Sequence, residues 1–515
     1  MRSSWMTTLF TLGNLLSASS LAGDFHDAVK AELTLKHNDS RGSVWFEAEA
    51  NLPIDWLIAE PVLGYLSDSE MDIGSLHCDD RQSNCDTIWQ RKLCNNDRDC
   101  NDLGVRCEAL HASKVNLNDA PKTMCLAPQD RLLDRVFLPI ANAQERIEVV
   151  SLSMPTGRFY QGILNGVAVA SQESSFLDIR FIMSGYDSVK PNFLNPPKKI
   201  LNRLKDDLLQ RGVDLDRLSL HVAWVSTPRL SWNHAKIILV DGRDMITGGH
   251  NLWDQDYLGE EPVFDLSMQV TGNVAYKSGT FVDQLWENAQ STASWPETID
   301  DAYYKSNLSG KKEGEHRILG VGRMGVLGPS PADDAIKTLI DQSQHSLYLS
   351  IQDLFAKLVW KVNKSYALDN IIQALNRGVS VKILQSNAGP ILGYGMLSQD
   401  ETLKEILKAA SKSEAHDPVA LKANICANLE VASLRIADGQ NQWPSGGPIG
   451  NHSKLIIADE QAFYLGSQNL YPSNLQEFGL VMDSETFTGE LIDQYWQPIW
   501  SRLEVFASTC ETLGF

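Results

Sequence analysis

The sequence predicts an α/β protein made of two similar halves, each a mixed, largely parallel sheet flanked by helices, with a small disulfide-rich N-terminal segment ahead of them. Three observations predict it. Short β-branched runs alternate with stretches of helical periodicity, the pattern of sheets covered by helices. The same order of elements occurs twice along the chain. Hydrophobic residues make up 43% of 515, which supplies a large core and is too much for a disordered chain.

Taken in order, residues 1–22 read as an export signal: Arg2 gives a weak positive start, Trp5 to Leu16 a modest apolar stretch, and Ser20-Leu21-Ala22 a small-x-small cleavage site. No apolar run reaches the roughly 18–20 residues of a membrane span. Residues 23–129 form an N-terminal region whose cysteines cluster between 78 and 125: Cys78, Cys85, Cys94, Cys100, Cys107 and Cys125. That stretch is polar and rich in Asn and Asp, so it buries little core unaided. Dense cysteines there imply disulfides in an oxidising compartment, and no C-x2-C pair suggests zinc. Cys426 and Cys510 are left to pair with each other.

Residues 130–300 are expected to form the first half. Residues 130–145 carry apolar positions at helical spacing, followed by the buried-strand run IEVVSLSM, the helix GRFYQGILNGVAVASQ and the strand LDIRFIMSG. Residues 301–515 repeat the order with helix DDAIKTLIDQSQ, strand SLYLSIQDL, helix YALDNIIQALNRG and strand VSVKILQSN. Between them, residues 290–330 are richer in Ser, Gly and Lys and read as a linker.

Each half carries one chemical motif. The first reads WNHAKIILVDGRDMITGGHNLW, with His234, Lys236, Asp241, Gly248, Gly249 and Asn251. The second reads GNHSKLIIADEQAFYLGSQNLY, with His452, Lys454, Asp459, Gly466, Ser467 and Asn469. Both fit H-x-K-x4-D-x6-G-[GS]-x-N without insertion. A lone H-x-K carries no information, but two complete copies in matching α/β settings do.

Along a strand, side chains alternate between faces, so each His shares a face with the Lys two residues on. Asp241 and Asp459 lie at an odd offset and are expected to point away, into a turn or structural ion pair. The paired small residues allow close backbone approach, which brings Asn251 and Asn469 near the lysines. Two imidazoles, two ammonium groups and two amides make a site for a phosphate: lysine and asparagine hold its oxygens, one neutral histidine attacks phosphorus, and the other protonates the leaving oxygen. Imidazole suits both tasks because its pKa lies near neutrality. A carboxylate is expected to hold each ring, and Asp265 and Glu477, at the start of the next strand in each half, are the natural choices.

These residues closely resemble the phospholipase D superfamily, whose hallmark is the duplicated H-x-K-x4-D motif. More narrowly, the chain is similar to secreted Streptomyces-type phospholipases D over about residues 130–510, including WNHAK, TGGHNLW, the SIQDL strand, NICANLEVASLR and FYLGSQNLYPSNLQEFG. The resemblance implies a single pseudo-twofold fold and a ping-pong reaction with no cofactor and no metal. By position, His234 is the nucleophile and His452 the general acid and base; Lys236, Lys454, Asn251 and Asn469 bind phosphate; Asp265 and Glu477 orient the rings. The expected partner is a phospholipid such as phosphatidylcholine at a membrane or micelle surface, split into phosphatidic acid and a free alcohol. The expected protein is a secreted monomer. Glu477 stands where close relatives often have Asp, and the cysteine module has no counterpart in that type.

Two other classes compete. The same motif cleaves nucleic acids elsewhere in the superfamily, but a net charge of −20 offers no basic footprint for a polyanion. A binding or toxin-like effector would put its function in the disulfide module and let the motif decay, whereas both copies are whole. Headgroup selectivity is expected in the loops Tyr186 to Pro197 and Gly389 to Leu397 and at Trp443-Pro444.

Overall fold

The computed structural model describes residues 25–59, 96, 98–99, 106–109, 123–126, 130–187, 190–191, 196–227, 231–258, 262–296, 313–358, 361–389, 395–412, 417–435, 441–443 and 446–515. The expected export signal, Pro444 and most of the cysteine module lie outside these residues. Of the module, the strands Arg106–Ala109 and Thr123–Leu126 pair antiparallel and set Cys107 opposite Cys125 in register. Outside it, Cys426 and Cys510 form a disulfide.

Two eight-stranded sheets carry the molecule. In spatial order the first runs Ser291–Trp295, Leu218–Trp224, Leu177–Met183, Arg146–Val150, Ile237–Val240, Asp244–Gly248, Ser267–Thr271, Leu57–Ile58. The second runs Trp45–Ala50, His316–Arg323, Glu477–Asp483, Ala462–Gly466, Lys454–Ala458, Ser346–Ile351, Ser380–Gln385, Leu429–Ser433. The sheets stack face to face over a shared core that includes Val150, Ile237, Leu239 and Met268 from the first and Phe46, Leu455, Ile457 and Phe478 from the second. Helices cover the outer faces. Phe159, Ile163 and Leu204 pack on the first sheet, and Ile336, Leu339, Ile371 and Ile406 on the second. Four layers result, helix–sheet–sheet–helix.

The α/β class and its duplication hold, but the share of parallel pairing is smaller than the sequence predicts. Within each sheet only two of seven strand pairs are parallel: Arg146–Val150 with Leu177–Met183 and that strand with Leu218–Trp224; Ser346–Ile351 with Ser380–Gln385 and that strand with Leu429–Ser433. The rest are antiparallel, and one of them in each sheet is the motif itself, which folds as a tight hairpin: Ile237–Val240 turns into Asp244–Gly248 and Lys454–Ala458 into Ala462–Gly466. A fully buried apolar run looks alike in either direction, so its composition gave no sense of pairing.

The expected linker also contains structure. His316–Arg323 is an inner strand of the second sheet, paired on both sides. Its apolar alternation is broken by Gly320 and Gly322, where a Cβ would strike the rings of Phe46 and Phe281. The chain ahead of the repeat is built into both sheets: Trp45–Ala50 pairs with His316–Arg323, and Leu57–Ile58 with Ser267–Thr271.

Candidate active site

Each motif histidine lies just ahead of its strand, where the two halves meet. Asn233 bridges to Gln476 and Asn451 to Phe264. His234 N donates to Gln476 O at 2.7 Å, and His452 N to Phe264 O at 2.6 Å. Each motif histidine is thus fastened by its backbone to the residue before the other half's carboxylate. The preceding asparagines turn the chain: the Asn233 side chain accepts from Ala235 N at 3.2 Å and donates to Ser151 O at 2.7 Å. Asn451 accepts from Ser453 N at 3.2 Å and donates to Ile351 O at 3.2 Å. Sequence reasoning passed over both asparagines, although N-H-x-K stands in both copies.

The carboxylates cross over. His234 Nδ1 donates to Glu477 Oε1 at 2.9 Å, and His452 Nδ1 to Asp265 Oδ2 at 2.6 Å. With Nδ1 so engaged, Nε2 is the nitrogen left for chemistry on both rings. The ring centroids stand 6.3 Å apart, about twice the 3–3.5 Å of a near-attack contact. Neither the glycine pair nor its Gly-Ser counterpart is incidental: a Cβ on Gly249 would collide with the Asp265 carboxylate, one on Gly466 would meet Gly479, and Ser467 Oγ accepts from Phe478 N at 3.0 Å. At Gly248 a Cβ would strike the backbone of Leu266 and Ser267.

Lys236 Nζ donates to His234 O at 2.7 Å, and Lys454 Nζ to His452 O. Both ammonium groups are buried. Burial and the facing Lys454 charge push Lys236 well below the usual lysine range. Burial lowers Lys454 to about 8, against the pull of Asp265 and Glu477. Two like charges held together out of water create a site that an anion relieves. Burial, with the neighbouring lysines, also lowers the imidazoles, His234 to about 4 and His452 to about 3, so both rings are neutral in the empty site. Burial pushes Asp265 up, but His452 and Lys454 outweigh it and bring it to about 2. Glu477 is likewise held below the ordinary carboxylate range, burial being outweighed chiefly by Arg323. Arg323 Nη1 lies 2.5 Å from Glu477 Oε2.

Asn251 and Asn469 are buried beside these groups, and the side-chain oxygen of each has no hydrogen-bond partner among the described residues. The Asn469 amide nitrogen donates to the Tyr471 hydroxyl at 2.7 Å. Asp241 and Asp459 are elsewhere. Each sits at its hairpin turn with positive φ, 53° and 52°. The Asp241 carboxylate accepts from the backbone of Gln144, Glu145 and Arg146, and Asp459 from Gln344, His345 and Ser346. They cap the entry to the neighbouring strand and touch no site residue named above. Among the described residues no group of three or more His, Cys, Asp or Glu is placed to hold a metal ion.

The chain is similar to several known proteins. The family described as "Cardiolipin synthase, PLD-like domain" matches residues 336–500. The chain is 28% identical over 443 residues to phospholipase D of Streptomyces antibioticus, covering 74% of this chain and 78% of that protein. It is 22% identical over 279 residues to cardiolipin synthase 1 of Bacillus cereus, covering 52% of this chain and 50% of that one. Among solved structures, phosphatidylserine synthase of Haemophilus influenzae Rd KW20 aligns with 72% of this chain and 83% of its own, at TM-score 0.48 and 16% identity. With two H-x-K-x4-D motifs meeting across a paired-sheet fold and these likenesses in sequence, the chain is an enzyme of the phospholipase D superfamily.

Proposed function

We propose that this protein is a phospholipase D that splits the distal phosphodiester of glycerophospholipids, phosphatidylcholine among them, through a phosphohistidine intermediate. The observation that carries this reading is the crossed pair of histidine–carboxylate links, with two buried lysines bonded to the carbonyls of the two buried histidines. A phosphodiester monoanion seated there offsets the lysine charges, so the proton affinity of His452 rises and its Nε2 takes up a proton from solvent as the substrate binds. His234 Nε2 attacks phosphorus while His452 Nε2–H gives its proton to the departing alcohol oxygen; the P–O bond breaks as the P–N bond forms. Lys236, Lys454, Asn251 and Asn469 stabilise the charge that builds on the nonbridging oxygens. Water then enters, His452 takes its proton, and its oxygen displaces His234 from phosphorus. No step calls for a metal, and a site already lined by two ammonium groups repels one.

A second outcome uses the same intermediate with an alcohol in place of water. The likeness to cardiolipin synthases favours it for part of the flux. Export to an oxidising compartment is the reading supported by the Cys426–Cys510 disulfide. Net charge −20 supports a lipid rather than a nucleic acid as the partner.

The test incubates the purified protein with phosphatidylcholine vesicles, with and without added glycerol, beside a single-stranded DNA control. Choline and phosphatidic acid are expected from the vesicles, phosphatidylglycerol in addition when glycerol is present, and no DNA degradation. DNA cleavage without headgroup release would replace this reading with the nuclease one.

A further inference from the structure

The two histidine supports follow one plan and differ in how the carboxylate meets the backbone amide. In the second half the longer carboxylate reaches it directly: Glu477 Oε1 accepts from His234 Nδ1 at 2.9 Å and from the backbone of Asn469 at 3.4 Å, while Arg323 holds Oε2. Asp265 is one methylene shorter. The matching amide, Asn251 N, donates to the Tyr257 hydroxyl at 3.3 Å, and that hydroxyl donates onward to Asp265 Oδ2 at 2.8 Å. Oδ2 is the oxygen that holds His452. The hydroxyl stands 3.5 Å from His452 Nδ1 itself.

Tyr257 is fully buried at the end of the single turn Asp254–Tyr257, its ring 5.1 Å from that of His250. Its sequence setting lies outside the repeated motif, so nothing in the second copy points to it.

We infer that Tyr257 is the positioning residue of the general acid: its hydroxyl fills the gap left by the shorter Asp265, tying the carboxylate to the Asn251 backbone so that His452 Nε2 is aimed at the leaving oxygen. With Tyr257 and His452 both on Oδ2 and Leu266 N donating to Oδ1 at 2.9 Å, the carboxylate fixes the plane in which His452 Nδ1–H must lie, and with it the direction of the opposite nitrogen. Because Tyr257 acts through the acid alone, it matters in proportion to how much proton the leaving group needs. This inference rests on the assignment of His452 proposed above.

The experiment compares Tyr257→Phe with the unaltered protein in the first turnover, on two substrates. Choline release from phosphatidylcholine is expected to slow by about tenfold, a fraction of the 10²–10⁴ that a general acid contributes. Release of p-nitrophenol from a p-nitrophenyl phosphodiester, which leaves without a proton, is expected to stay within about twofold. An equal fall on both substrates, or no fall on choline, overturns the inference. In the double variant Tyr257→Phe/Asp265→Glu the longer carboxylate reaches Asn251 N directly, as Glu477 reaches Asn469, and choline release recovers over the single variant. No recovery overturns it, and the double variant serves if the single one fails to fold. Should the unaltered protein cleave aryl phosphodiesters but no phospholipid, the lipid reading alone falls. A series of aryl leaving groups then decides: a steeper dependence on leaving-group basicity in Tyr257→Phe supports the inference, an unchanged slope overturns it.

Discussion

His234 and His452 sit in nearly equal surroundings, so their division of labour is a matter for substitution. Replacing His234 with Ala is expected to abolish both turnover and any covalent adduct. Replacing His452 with Ala removes the acid and the later base, so a p-nitrophenyl phosphodiester still loads His234 and the adduct persists. Mass analysis after brief incubation is expected to find it on the peptide holding Trp232-Asn233-His234; finding it on His452 reverses the roles. Acid sensitivity follows from the same rings. Unfolded histidine titrates near 6.5, whereas His234 and His452 in the folded protein are lowered to about 4 and about 3. Between those values the unfolded chain binds more protons, so stability is complete above about pH 6.5 and falls as the pH drops toward 4 and below, by at most about 1.4 kcal/mol per pH unit for each ring. Asp265, lowered to about 2, adds the same sign of loss only below about pH 4. Urea midpoints at pH 7.5 and 5 are expected to differ less in His234→Asn/His452→Asn than in the unaltered protein; an equal difference rejects the linkage. At this scale the sequence was readable wherever a residue had a twin. His, Lys, Gly and Asn each occur twice at one spacing. Tyr257 and Arg323 back the two carboxylates with different chemistry, a hydroxyl and a guanidinium, and have no repeat to betray them.

Elements were legible where one face alternates against the other, and not where glycine or pairing sense intervenes. The helix Gly157–Glu173 and the strand Leu177–Met183 fall where their periodicity places them. The strand His316–Arg323 hides because two of its inward positions are glycines that admit aromatic rings from neighbouring elements. The hairpin caps are a local device that the motif's aspartates encode. Asp459 Oδ1 accepts from His345 N at 2.7 Å and Ser346 N at 2.9 Å, while Oδ2 accepts from Gln344 N at 2.8 Å. Asp459→Ala leaves these amides without their acceptor and is expected to cost roughly 2–4 kcal/mol of unfolding free energy. Asp459→Asn keeps one oxygen, tolerates the positive φ, and should lose less. Denaturant melts in which Asp459→Ala costs no more than Asp459→Asn would reject the cap as the source of the loss.

For the whole molecule, the segment ahead of the repeat is what closes the second sheet. The helix Phe25–His37 buries Phe25, Val29 and Leu33 in the core that carries Ile336 and Leu339. The strand Trp45–Ala50 then supplies the outermost rung, with Trp45 fully buried on the helical side and Phe46, Ala48 and Ala50 in the core between the sheets. Trp45 Nε1 donates to His37 O at 2.7 Å, which locks helix to strand. A chain lacking residues 25–50 would bare the edge His316–Arg323 and both apolar faces it adjoins. An uncovered edge of that kind pairs with other chains. At roughly 1.5–3 kcal/mol for each large side chain exposed, loss of Phe25, Val29, Leu33, Trp45 and Phe46 amounts to about the whole stability of an ordinary domain. The shortened chain is therefore expected to aggregate on expression and to show no cooperative melt, although both motif copies are intact. Trp45→Ala alone is expected to cost about 3–5 kcal/mol while leaving turnover per folded molecule unchanged, since Trp45 touches none of the site residues. Recovery of a monodisperse, cooperatively melting protein without residues 25–50 would mean that the two repeats close on their own and that the segment is an accessory.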